Sequence, residues 1–160
     1  MDIETLNRTL VDFLRTYVIH PSASKKSKWI YVDYPRPDAT FPRISVSQIG
    51  HTTSSAGIGE RGPSDLGEWQ ETSFDIDIWV KKGNSFDIDG SVKTGTALRD
   101  YLGDQVIQQL MNGKQWLLTN KFIKDLRITG TMTVPYMDSN ELFRRTITIR
   151  LTYFRTKVPF

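Results

Sequence analysis

Cysteine is absent from this chain of 160 residues, which excludes disulfides, thiolate metal sites and cysteine catalysis. Histidine is scarce: His20 and His51 are the only two, and they lie in unrelated segments. Nothing in their spacing supports a histidine–carboxylate metal centre. No apolar run approaches the roughly 18 residues of a membrane-spanning helix. The opening residues, MDIETLNRTL, contain acids and lack an apolar core, so no signal peptide and no membrane partner are expected. No nucleophile-elbow signature occurs. What is present is ordinary for a folded domain: 38% hydrophobic and 24% charged residues. The length suits one domain, 1–160, with a sizeable core.

The strongest pattern lies at the end. Residues 122–134 and 141–156 alternate apolar and polar side chains, separated by a turn-like segment from Pro135 to Asn140. The alternation predicts that Leu126, Ile128, Met132 and Val134 share one face of the first stretch. In the second, Phe143, Ile147, Ile149, Leu151 and Tyr153 oppose Arg144, Thr146, Thr148, Arg150 and Thr152. Two half-buried strands in a long hairpin follow.

Upstream, Ile3, Leu6, Leu10, Phe13, Leu14, Tyr17 and Val18 keep three/four spacing, predicting a helix over 2–19 that Pro21 stops. WIYVDY (29–34) and RISVSQI (43–49) read as short strands. ETSFDIDIWVKK (71–82) alternates cleanly, with Phe74, Ile76, Ile78 and Val80 against Asp75, Asp77 and Trp79. GNSFDIDG (83–90) reads as a turn. Residues 91–113 read as a helix on Leu98, Leu102, Val106 and Leu110, with Gly103 as a weak spot and Gly113 as its stop. QWLLT (115–119) reads as a short strand or the lead-in to the hairpin. Between the second and third strands, residues 50–69 hold five glycines and no periodicity, predicting a long flexible arm. The order predicts an α+β fold: a mostly antiparallel sheet with two packed helices, a long C-terminal β-hairpin and a long flexible loop.

Candidate chemistry is sparse. Gly57 to Gly62 matches G-x-G-x-x-G, but neither a preceding strand nor a following helix can be read, so a glycine loop is the better account. Asp87-Ile88-Asp89-Gly90 imitates part of a calcium loop, but Thr96 stands where a bidentate Glu is required. Asp75 and Asp77, with Glu71 on the same face, suggest paired carboxylates for acid–base work. An exposed acidic stripe that docks on a basic surface is the stronger reading. Trp79 on the polar face hints at a protein interface. No cofactor, metal or catalytic residue is expected, and the chain reads as a non-enzyme that acts by presenting surfaces.

Charge is uneven. Residues 65–104 carry nine acids and four bases, whereas residues 105–160 carry three acids and nine bases. A basic half suits either nucleic acid or the acidic patch of a neighbouring copy.

An N-terminal helix, the strand FPRISVSQIG, a glycine-rich arm, ETSFDIDIWVKK, the helix TALRDYLGDQVIQQL and the closing hairpin ITGTMTVPYMDSNELFRRTITIRLTYFR make an order of elements. It resembles the tail terminator (tail completion) proteins of long-tailed phages and related head–tail viruses. The likeness spans nearly the whole chain, and neck and head-closure proteins share it. It implies a virion protein of the tail or neck, assembled in the host cytoplasm. Its subunits form a homo-oligomer, a hexameric ring that caps the tail tube protein and meets a neck or connector protein, with viral DNA passing through the lumen. The expected contact residues are His51, Ile58, Glu60, Arg61, Asp65 and Trp69 in the arm, Asp75, Asp77 and Trp79 on the strand, and Tyr136 and Met137 in the turn. Lys25, Lys26, Lys28, Arg144, Arg150 and Lys157 are expected to face DNA or an acidic partner. A small nucleic-acid-binding module using these cations is the rival reading.

Overall fold

The computed structural model of the chain describes residues 1–22, 28–33, 38–52, 67–137 and 141–156; of residues 51, 52, 135–137 and 156 it describes the backbone only. The fold is α+β. A five-stranded mixed sheet has the order β1-β2-β3-β7-β6, and both helices pack on one of its faces.

Helix α1 spans Ile3–Tyr17. Asp2 caps it: its Oδ1 accepts from the Thr5 amide at 2.7 Å, and Glu4 adds a favourable charge in the first turn. Leu6, Leu10, Val11, Phe13 and Leu14 form its buried stripe. Strand β1 (Ile30–Val32) runs parallel to β2 (Arg43–Thr52), and β2 runs antiparallel to β3 (Gly67–Lys81). Strand β3 starts four residues before the expected Glu71, so the two ends of the predicted arm belong to strands and residues 53–66 lie outside the described residues.

Strand β3 is the middle strand, paired on both sides, and its face under the helices holds Phe74, Ile76, Ile78 and Val80, all wholly buried. Each such side chain stabilises the fold by about 1.5–3 kcal/mol relative to exposure. The segment expected as a turn, 83–90, instead begins a small hairpin, β4 (Ser85–Ile88) and β5 (Ser91–Thr94). Asp89 and Gly90 both take positive φ, 52° and 78°, the two-residue turn that Asp-Gly favours.

Helix α2 spans Gly95–Leu118, so QWLLT is its last turn and not a strand. Gly113 does not stop it. A Cβ there would meet the Phe13 ring of α1, so the glycine serves close helix packing. Trp116 then packs tilted against Phe13 at 5.5 Å and edge-on to Tyr17 at 6.0 Å, tying the two helices together.

The closing hairpin is β6 (Ile123–Met137) and β7 (Leu142–Thr156). Strand β7 alternates as expected: Ile147, Ile149 and Leu151 are fully buried under α2. Strand β6 does not. Ile128 pairs with Ile149, but Gly130 pairs with Thr148, so Thr129 is an extra residue in a β-bulge. The bulge reverses the alternation. Leu126 and Ile128 face the helices, whereas Met132 and Val134 lie on the far face opposite Thr146 and Arg144. Met132 is accordingly 59% exposed.

Candidate functional site

The far face of the sheet gathers most of the residues that the sequence singles out. Register places Trp79 opposite Arg144, Asp77 opposite Thr146 and Asp75 opposite Thr148. These pairs hydrogen-bond. Arg144 donates from Nε and Nη2 to the two Asp77 oxygens, each at 3.0 Å. Thr146 Oγ1 donates to Asp77 Oδ1 at 2.5 Å, and Thr148 Oγ1 to Asp75 Oδ1 at 2.7 Å. The Trp79 indole donates to Ser45 Oγ at 3.2 Å on β2, and the Arg144 guanidinium lies 4.7 Å from the Trp79 ring centroid.

This corrects the expected exposed acidic stripe. Asp77 is 1% exposed and its carboxylate is held by its own chain. Arg144, expected to face DNA or an acidic partner, spends its planar fork on Asp77. Trp79 packs in this network.

At the other end of the far face lies a cationic cluster. Arg127 and Arg150 are direct cross-strand partners, a placement that costs energy unless anions share it. Each has an acid nearby: Asp125 accepts from Arg127 Nε at 2.6 Å, and Glu71 lies 3.8 Å from Arg150. Lys114 of α2 also donates to Asp125, at 2.7 Å. Burial acts to raise the pKa of Asp125, but the bonds from Lys114 and Arg127 outweigh it and hold the carboxyl below its ordinary value. Trp69, expected as a contact anchor, lies edge-on to Phe154 at 5.3 Å, with the Lys124 ammonium 5.6 Å from its centroid.

The sequence expectations fare differently elsewhere. Lys28 is exposed beside β1, and its carbonyl accepts from the Tyr31 hydroxyl at 2.7 Å. The other lysines of that cluster, Lys25 and Lys26, lie outside the described residues, as do Ile58, Glu60, Arg61, Asp65 and Lys157. His51 sits in β2, and Tyr136 and Met137 in β6, by backbone alone. His20 accepts from the Ser22 amide through Nδ1 at 2.9 Å, and its ring meets Trp29 edge-on at 4.8 Å. Among the described residues no group of three or more His, Asp or Glu is placed to hold a metal ion.

Sequence reasoning missed Arg145. It occupies a slot on the apolar face of β7, between Phe143 and Ile147, which is the signal that was available. There it reaches α2, donating to Asp104 Oδ1 at 2.9 Å and to the Asp100 carbonyl at 3.2 Å. It crosses α2 at Gly103, where a Cβ would come within 2.8 Å of its side chain. The predicted weak spot of the helix is thus the slot for a cation.

Two grooves flank the sheet. One, about 390 Å³, lies between α1 and the β1–β2 edge and is lined by Ile3, Glu4, Asn7, Arg8, Val32, Asp33 and Gln48. The other, about 350 Å³, lies between α2 and edge strand β6 and is lined by Leu110, Met111, Lys114, Leu126 and Ile128. No protein-family model matches this sequence, and comparison with curated proteins gives no match.

Proposed function

We propose that this chain is a structural subunit of a virus particle: a tail terminator whose copies form a ring that caps the tail tube and joins it to the neck. Its mechanism is stepwise self-association without bond chemistry. The observation that carries this reading is the layout of the sheet. Its two edges, β1 and β6, are unlike, and a groove lies beside each. A subunit with two unlike edges suits head-to-tail contacts, which close into rings when the rotation permits. Support also comes from the order of elements. Helix, two strands, a third strand, helix and hairpin follow in the order of the family that the sequence resembles, with the β4–β5 hairpin as an addition.

The test is electron microscopy of the purified protein with growing tail tubes. Rings at one tube end, with growth stopped, are the expected result; tubes that elongate unchanged would contradict it.

A second reading, a nucleic-acid-binding module, has one observation in its favour. Arg127 and Arg150 stand side by side, and further along the sheet the Lys124 ammonium lies 5.6 Å from the Trp69 ring centroid. Affinity for DNA that falls steeply with salt, and falls again in Arg127→Ala/Arg150→Ala, would support it; salt-independent or absent binding would remove it.

A further inference from the structure

We infer that the self-contact is heterologous and specific: the α2/β6 edge of one copy seats against the α1/β1 edge of the next. The inference rests on the assembly reading above and names the two surfaces that the reading leaves open.

Chemistry selects the pairing. The α1/β1 groove carries two acids, Glu4 and Asp33, against one base, Arg8, which bonds Glu4 at 2.6 Å. Asp33, exposed and held at a positive φ of 55°, stands at the end of β1, and Glu4 stands on the first turn of α1 beside Arg8. The groove floor offers apolar surface at Ile3 and Val32, the latter 41% exposed.

The α2/β6 edge has the opposite character. Met111 is 67% exposed beside Leu110, Leu126 and Ile128, an apolar ridge and groove. Around it stand donors: Lys114, and Arg127 with a side chain 77% exposed. Their shared acid, Asp125, balances only one of the two. Apolar surface therefore meets apolar surface, and the surplus cation of one edge meets the surplus acid of the other.

The isologous alternative, β6 against β6, is disfavoured on the same grounds. It would bring together two edges that each carry two cations against one acid. The bulge at Thr129 also twists this edge out of the flat form that edge-to-edge pairing needs. At the other side, β1 cannot simply add a strand, because the Ile30 carbonyl already accepts from Arg15 Nε and Nη2, at 3.1 and 2.8 Å. Docking of a groove on a ridge is what both edges permit.

The chain has no cysteine, so introduced thiols are unique reporters. Val32→Cys and Met111→Cys each place one thiol at one edge, at exposed sites where folding is checked by circular dichroism. A short bismaleimide is added to the full chain, with mass by light scattering run in parallel. Neither variant alone is expected to cross-link. Mixed, they are expected to give a covalent dimer and nothing larger, and the double variant a ladder of multimers. Dimers from Met111→Cys alone would overturn the pairing in favour of a two-fold contact. A double variant that multimerises by light scattering without cross-linking would overturn this pairing and leave the terminator reading standing. A double variant that stays monomeric by both readouts would sink both.

Discussion

The Asp77 carboxylate is gripped at both oxygens by Arg144, at 3.0 Å each, across 67 residues of sequence. Breaking such a buried pair strands a charge. Asp77→Ala is therefore expected to destabilise the fold by about 3–5 kcal/mol, the usual cost of removing one partner of a buried ion pair. Arg144→Ala should cost less, because its side chain is 24% exposed and water replaces part of what is lost. Urea unfolding measures both. Equal and small losses would show that the pair is not the clamp of the far face.

Gly113 gives a prediction that runs against helix propensity. Alanine is the better helix former by about 1 kcal/mol. A Cβ at this position would nevertheless overlap the Phe13 ring of α1. Gly113→Ala is expected to destabilise by about 1–3 kcal/mol, the range for overpacking a tight site. A thermal melt that rises would show that α1 and α2 are further apart than described.

The bulge in β6 separates two residues that look equivalent in the sequence. Leu126→Ala, at a side chain 4% exposed, should cost about 2–5 kcal/mol. Met132→Ser, on the far face, should stay within about 0.5 kcal/mol of the parent. Comparable losses at both sites would mean that Thr129 does not reverse the faces.

Asp125 gives the pH dependence. Its folded pKa lies below the ordinary value because Lys114 and Arg127 bond the charged form more strongly than burial opposes it. Its contribution is thus fully present above the unfolded value of about 3.9 and is lost as pH falls through the lower folded value. Asp125→Asn should lower stability at neutral pH by up to about 1 kcal/mol, as for partly exposed ion pairs. The gap from the parent should close as pH drops below about 4. A gap independent of pH would assign the loss to packing.

Much of this was legible in the sequence, and the reasons are physical. The buried faces of β3 and β7 follow strict alternation because neither strand carries a bulge in its mutual pairing. The faces of β6 do not, since one extra residue at Thr129 reverses the phase, and alternation by itself places no bulge. The Asp89-Gly90 turn was legible, as Asp-Gly is a strong hairpin signal, but the four-residue strands that flank it are too short to show a period. The extent of α2 turned on Gly113, which looks like a stop in one dimension and is a contact in three. Least legible was the far-face network. Asp75, Asp77 and Trp79 read as exposed and active until register set Thr148, Thr146 and Arg144 opposite them. The two edge grooves depend on which strands end the sheet, and that is a property of topology.

The central claim is that this protein works by assembling with itself, and its mass in solution tests that most directly. Light scattering over a wide concentration range should show mass rising from the 18.4 kDa subunit to a closed species of about six copies. A mass that stays at 18.4 kDa at every concentration, with and without tail tubes present, would contradict the account.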